Sequence, residues 1–154
     1  MERAMKHNDI ITIVIACISL VFSIGTFFVS YYSERKRMTI DAYKDLQEHL
    51  HFLYLYGKDE IEDFVENYTS EEYKAISSAV SQIEIFAQGV KSRTYNMRLV
   101  YLLSHGYLDM TLRNRIEHIL DMKLKKSGKE YHEATRWLMH EMDRLSCKKK
   151  VYVL

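Results

Sequence analysis

Proline is absent from this 154-residue chain, and glycine occurs only five times. The two strongest helix breakers are therefore missing or rare, which leaves long stretches free to be helical. Cysteine is scarce as well. Cys17 lies inside an apolar run and Cys147 near the far end. One would sit in lipid and the other in water, so no disulfide is expected, and an unpaired thiol in the water-facing part fits a reducing compartment. An excess of one charge sign is also lacking, since the net charge is only +1. Charge alone therefore gives no signal for nucleic acid. A chain that is 47% hydrophobic and 28% charged is too apolar and too balanced to be disordered.

What is present begins with "IITIVIACISLVFSIGTFFVSYY", Ile10 to Tyr32, which carries no charge. As a helix these 23 residues would measure about 34 Å, enough to cross a hydrocarbon core of about 30 Å. An export signal has a shorter apolar region ending in small residues. This run ends instead in Phe27, Phe28, Val29, Tyr31 and Tyr32. Paired tyrosines followed by Arg35, Lys36 and Arg37 match an interfacial belt with snorkelling cations. A core helix would need a body able to wrap it on every side, and about 120 further residues are too few. A retained membrane span is therefore expected. Two basic residues precede it (Arg3, Lys6) and four follow (Arg35, Lys36, Arg37, Lys44). By the positive-inside rule the N-terminus faces outward and the remainder is cytoplasmic.

Along the run, Thr12, Ala16, Ser19, Ser23, Thr26 and Ser30 are spaced 4, 3, 4, 3, 4. That period places six small side chains on one stripe, which suits a left-handed homodimer of spans. The alternative is that the hydroxyls bond back to their own helix. The expected organisation is a short tail (1–9), the span (10–32), a helical domain (33–147) and a basic and apolar tail (148–154).

Within that domain, Thr39, Tyr43, Leu46, Leu50 and Leu53 form a second stripe, widened by Phe52, Leu55 and Tyr56 up to a stop at Gly57. Extrapolating the first stripe gives 33, 37, 40 and 44, out of phase with the second, which is expected to pack within its own domain. "KDEIEDFVENY" reads as an acidic helix with Ile61, Phe64, Val65 and Tyr68 on its apolar side. Thr69 and Glu72 fit a capping box opening the next helix, whose apolar face is Tyr73, Ile76, Val80, Ile83, Ala87 and Val90. Helices follow from Asn96 to His105 and from Asp109 to about Lys125. A break at Ser127 and Gly128 precedes a last helix from about Glu130 to Leu145, carrying Tyr131, Trp137, Leu138 and Met142. The fold class is all-α: one N-terminal transmembrane helix, then a bundle of four or five helices.

The stretch "ISSAVSQIEIFAQGVKSRTYNMRLVYLL" resembles the central motif of a bacterial family of unknown function, DUF 4760, at Glu84, Phe86, Ala87, Gly89, Val90, Tyr95 and Leu99. The likeness covers most of the chain, because members also have an N-terminal span. It implies a small membrane-anchored helical protein of bacterial or prophage type, with no known reaction. A second glycine frequent after the glycine-valine pair is replaced here by Ser92, Arg93 and Thr94 before Tyr95.

Residues able to carry chemistry form no familiar constellation. His49 and His51 are two apart and point to different sides of a helix. His118 and Asp121 lie three apart but lack a third metal ligand. In "HEATRWLMHE" the histidines His132 and His140 are eight apart, and Arg136 stands one turn before the second. These read as surface histidines. Cys147 stands beside Lys148, Lys149 and Lys150, a setting that suits a reactive thiol, but in a site unlike an enclosed one. Glu84, set among Ile83, Ile85 and Phe86, is either an acid-base group or a structural clasp on an arginine such as Arg93 or Arg98, the clasp being favoured. No phosphate loop and no nucleophile elbow occurs.

Charge is segregated. Residues 59–72 hold seven acidic and no basic side chains, whereas Arg113, Arg115, Lys123, Lys125, Lys126 and Lys129 cluster later, interleaved with Glu117 and Asp121 as on a solvated face. The tail "KKKVYVL" would contact anionic lipid, add a strand to a partner's sheet, or cover the bundle. The expected function is a membrane-tethered interaction or regulatory module at the bacterial plasma membrane. Its partners are the bilayer, a second copy and an unidentified protein, with no cofactor, no metal and no nucleic acid. The alternative is a membrane-surface enzyme or effector.

Overall fold

A computed structural model of the chain describes residues 2–67, 70–104, 107–128 and 132–151. All regular structure among them is helical, as expected: α1 (Glu2–Leu55), α2 (Lys58–Glu66), α3 (Glu71–Lys91), α4 (Met97–Leu103), α5 (Tyr107–Thr111), α6 (Glu117–Ser127) and α7 (Glu133–Val151). A π-helical turn, Leu112–Ile116, joins α5 to α6 without a break, so that these segments form one rod and the described residues make six helices. The chain divides into two compact units, Met1–Arg35 and Lys36–Leu154.

The first unit contains a helix long and apolar enough to cross a membrane, with mean hydropathy 2.5 in its most apolar window and none of that window buried. Its large apolar side chains are open to the surroundings throughout, from Ile10 to Tyr32. Gly25 has open space around it and does not break the helix.

In the second unit the core is assembled from stripes. Thr39, Tyr43, Leu46, Leu50 and Leu53 of α1 are all buried. They meet Ile61 and Val65 of α2, and Ile76, Ala79, Val80, Ile83, Phe86, Ala87 and Val90 of α3. Val100, Leu108, Leu112, Ile116, Ile119, Leu120, Ala134, Leu138 and Met142 complete it. Burying side chains of this kind contributes about 1.5–3 kcal/mol each relative to exposure, which is what holds helices too short to stand alone. Leu55 and Leu102 stay largely exposed, so the apolar faces of α1 and α4 are narrower than their sequences suggest.

Boundaries follow local chemistry. After α1, Gly57 serves as the N-cap of α2, its N–H donating to Glu60 Oε2 at 2.6 Å. α3 starts one residue later than a cap at Thr69 would place it, because the Ser70 hydroxyl accepts the Tyr73 N–H at 3.0 Å. Thr69, Tyr68 and Tyr131 lie outside the described residues. Gly128, left-handed at φ 65°, ends α6 as expected. α7 begins at Glu133 rather than near Glu130, after a left-handed His132, and continues through residues 148–151, where a tail was expected. Lysines are good helix formers and suit the negative end of the helix dipole, so nothing stops the helix at Leu145. Residues 152–154 are outside the described set.

Candidate functional site

The most elaborate polar arrangement among the described residues lies where α3 meets the start of α7, at a position of the family-like motif. Glu84, on α3, reaches the first turn of α7. Its Oε1 accepts the Ala134 N–H at 3.1 Å, and its Oε2 accepts the Thr135 N–H at 2.9 Å and the Thr135 hydroxyl at 2.7 Å. Gln88, one turn along α3, donates to Oε1 at 3.3 Å. A helix start leaves its first N–H groups without intrahelical partners and carries a partial positive charge, so an anionic acceptor from another helix satisfies both needs. Burial raises the Glu84 carboxyl, but the bonds from Thr135, Ala134 and Gln88 outweigh it and leave the pKa below its ordinary value. The expected clasp is present with a different partner. Glu84 holds a helix terminus, not Arg93 or Arg98. A carboxylate with a lowered pKa is a poor general acid near neutral pH.

The rest of the motif builds the turn between α3 and α4. Arg93, left-handed at φ 64°, occupies the position where a helix usually ends in glycine, and its N–H reaches the Val90 carbonyl at 3.0 Å. The chain then doubles back, so that the Tyr95 N–H bonds the Gly89 carbonyl at 3.0 Å. The Tyr95 ring comes down on Gly89, where a side chain would collide with it, and stacks on Phe86 with centroids 5.5 Å apart. Phe86, Ala87 and Val90 are buried and Leu99 is half-buried. Leu99 donates its N–H to the Asn96 side chain, which caps α4.

Two α1 residues hold the two ends of α4. Thr39 Oγ1 accepts the Asn96 N–H at 2.8 Å, and the Tyr43 hydroxyl donates to the Leu103 carbonyl at 3.1 Å. Thr39 was legible as part of an apolar stripe, but nothing in its spacing announced a hydrogen-bonding role. A cleft of about 130 Å³ opens beside Phe86 and Tyr95, rimmed by Asp45 and His49 of α1 and Gln82 of α3.

No family model, curated protein or solved structure matches the chain.

The other candidate residues are dispersed. His118 faces Glu62 of α2, while Asp121 pairs with Arg136 of α7 at 2.8 Å, so the two do not share a ligand. His51 and His140 are exposed, but His49, His118 and His132 are half-buried rather than surface groups. Among the described residues no three metal-ligating side chains gather. Arg113, in the π-turn, bridges Asp109 and Asp143, and its pKa is raised by the Asp143 bond against the opposing effect of burial. Arg113 thereby belongs to a tie between α5 and α7. Cys17 and Cys147 are free and exposed. Thr12, Ala16, Ser19, Ser23, Thr26 and Ser30 are all exposed. The Ser23 hydroxyl donates to the Ser19 carbonyl and the Thr26 hydroxyl to that of Phe22, each at 2.8 Å, which is the back-bonded arrangement.

Proposed function

We propose that the chain is a single-pass membrane protein whose N-terminal helix tethers a helical interaction or regulatory module to the bacterial plasma membrane. The observation that carries this reading is that every residue from Ile10 to Tyr32 is exposed, an apolar surface left open by the described residues. In water so large an apolar surface is unfavourable by about 25 cal/mol per Å², whereas in lipid it is solvated by like material. A core helix of a water-surrounded protein would be mostly covered. The basic residues Arg35, Lys36, Arg37 and Lys44 support an inward-facing second unit. Occupation of Glu84 by the α7 terminus favours a module over an enzyme built on that carboxylate.

Fractionation tests the anchor. The protein should remain in the membrane through an alkaline carbonate wash and leave it in detergent; recovery in the aqueous fraction overturns the reading. Orientation is tested on a Cys17→Ser variant, in which Cys147 is the one remaining thiol. An impermeant maleimide should label Cys147 only after the cells are opened. Pairing of spans through the small-residue stripe is part of the same proposal. Ser19→Leu with Ser23→Leu should reduce the oligomer in detergent, and an unchanged size removes the pairing.

A further inference from the structure

His132 immediately precedes α7 and is half-buried, with its backbone left-handed at φ 67°. Its carbonyl accepts the Arg136 N–H at 3.3 Å, which places it at the N-cap. The ring Nδ1 is buried and has no hydrogen-bond partner among the described residues. A neutral ring with a bare Nδ1 leaves only a lone pair unfilled there. Protonation turns the same atom into a charged N–H donor with nothing to receive it, a far costlier group to bury. The site is also unsuited to a cation, because the start of a helix carries partial positive charge.

The charged groups around it agree with this. Lys123 from α6, itself half-buried with its pKa lowered by burial, opposes a charge on the ring. Glu84 from α3 favours one, but its oxygens are engaged by Ala134 and Thr135. On α7, Glu133 is exposed, and Arg136 is paired with Asp121 of α6. Burial first and Lys123 second outweigh Glu84, and the His132 pKa lies below its ordinary value.

We propose that His132 is an acid-released latch: protonation of its ring as the pH falls below neutral loosens the first turn of α7 from Glu84. The sign follows from linkage. A histidine with a depressed pKa in the docked state binds its proton more tightly once undocked. Docking is therefore unaffected above the ordinary histidine value of about 6.5, and weakens as the pH falls below it. Release also relieves the left-handed backbone, a conformation that disfavours any residue with a Cβ.

Native-state amide exchange on the full chain in detergent, corrected for intrinsic rates, tests the latch between about pH 7.5 and pH 5.5. The protection of Ala134 and Thr135, taken relative to Val80 and Ile83 in α3, should fall on acidification by up to about tenfold per pH unit. His132→Asn, which a left-handed backbone tolerates, should hold the ratio constant over that range. Lys123→Met, by removing the opposing charge, should confine the fall to a smaller total. Emission from Trp137, the single tryptophan, gives a second readout on α7. A wild-type ratio that stays flat, or a fall in His132→Asn parallel to wild type, overturns the latch. Should His132→Asn fail to fold, an undiminished fall in Lys123→Met overturns it as well.

Discussion

The Tyr95 ring rests so closely on Gly89 that a Cβ at that glycine would stand 2.5 Å from Tyr95 Cδ2, and nearer still to Cε2. The ring is held over the glycine by its stack on Phe86, which in turn packs on Tyr43. Gly89→Ala should therefore destabilise the fold by about 1–3 kcal/mol, in the manner of an overpacked core. Thermal unfolding checks this, and Tyr95→Ala in the same chain should remove most of the additional loss. Equal effects of Gly89→Ala with and without the tyrosine would show that the ring is not the obstacle.

Glu84→Gln keeps the shape of the clasp but offers one neutral oxygen where the carboxylate offers two, so one of the Ala134 and Thr135 amides loses its acceptor. Hydrogen bonds to charged groups contribute about 1.5–3 kcal/mol, so a loss near the lower end is expected for this partly exposed carboxylate. Its pKa is depressed in the folded protein. The stabilisation is therefore full above the ordinary carboxylate range and disappears as the pH falls through the lowered value. Denaturant midpoints of wild type and variant should differ at pH 7 and converge in acid. A constant difference across that range would assign the effect to packing.

Arg93 adopts a left-handed backbone that L-residues with a Cβ enter at a cost of about 1–2 kcal/mol. Its side chain is exposed. Arg93→Gly should accordingly stabilise the protein by about 1 kcal/mol, less whatever the added flexibility of the unfolded chain takes back. The measurement is a rise in the unfolding midpoint.

Thr39 is fully buried, and its hydroxyl is the acceptor for the Asn96 amide. Thr39→Val preserves volume and strands that amide, which should destabilise by about 1–3 kcal/mol. Thr39→Ser keeps the oxygen and should lose less. If the two variants unfold alike, the missing methyl and not the hydrogen bond carries the effect.

The all-α class and most of the core were legible because both are written in periodicity. The steps 39, 43, 46, 50, 53 and 76, 80, 83, 87, 90 are the same residues that the structure buries. Composition also announced the first helix and the stop at Gly128. The partner of Glu84 was not legible, since two backbone N–H groups some fifty positions away leave no mark on a side-chain pattern. The half-burial of His132 was not legible for a related reason. It sits on a backbone turn that no glycine signals, and the charge that opposes its protonation, Lys123, comes from another helix. The α7 boundary shifted because helix ends are decided by single caps, whereas helix interiors are decided by many side chains at once.

The π-helical turn has a consequence for how the chain tolerates changes in length. Leu108, Leu112, Ile116 and Leu120 recur at every fourth position and all point inward, a spacing wider than an α-helix keeps in line. The turn absorbs the surplus residue, with the Glu117 N–H reaching back five positions to the Leu112 carbonyl. Excising Asn114, which is exposed, would convert that loop of backbone to an ordinary α-turn while both flanks kept their inward faces. Shortening a helix by one residue normally rotates everything beyond the cut out of register. Here the fold carries its own slack, in one place.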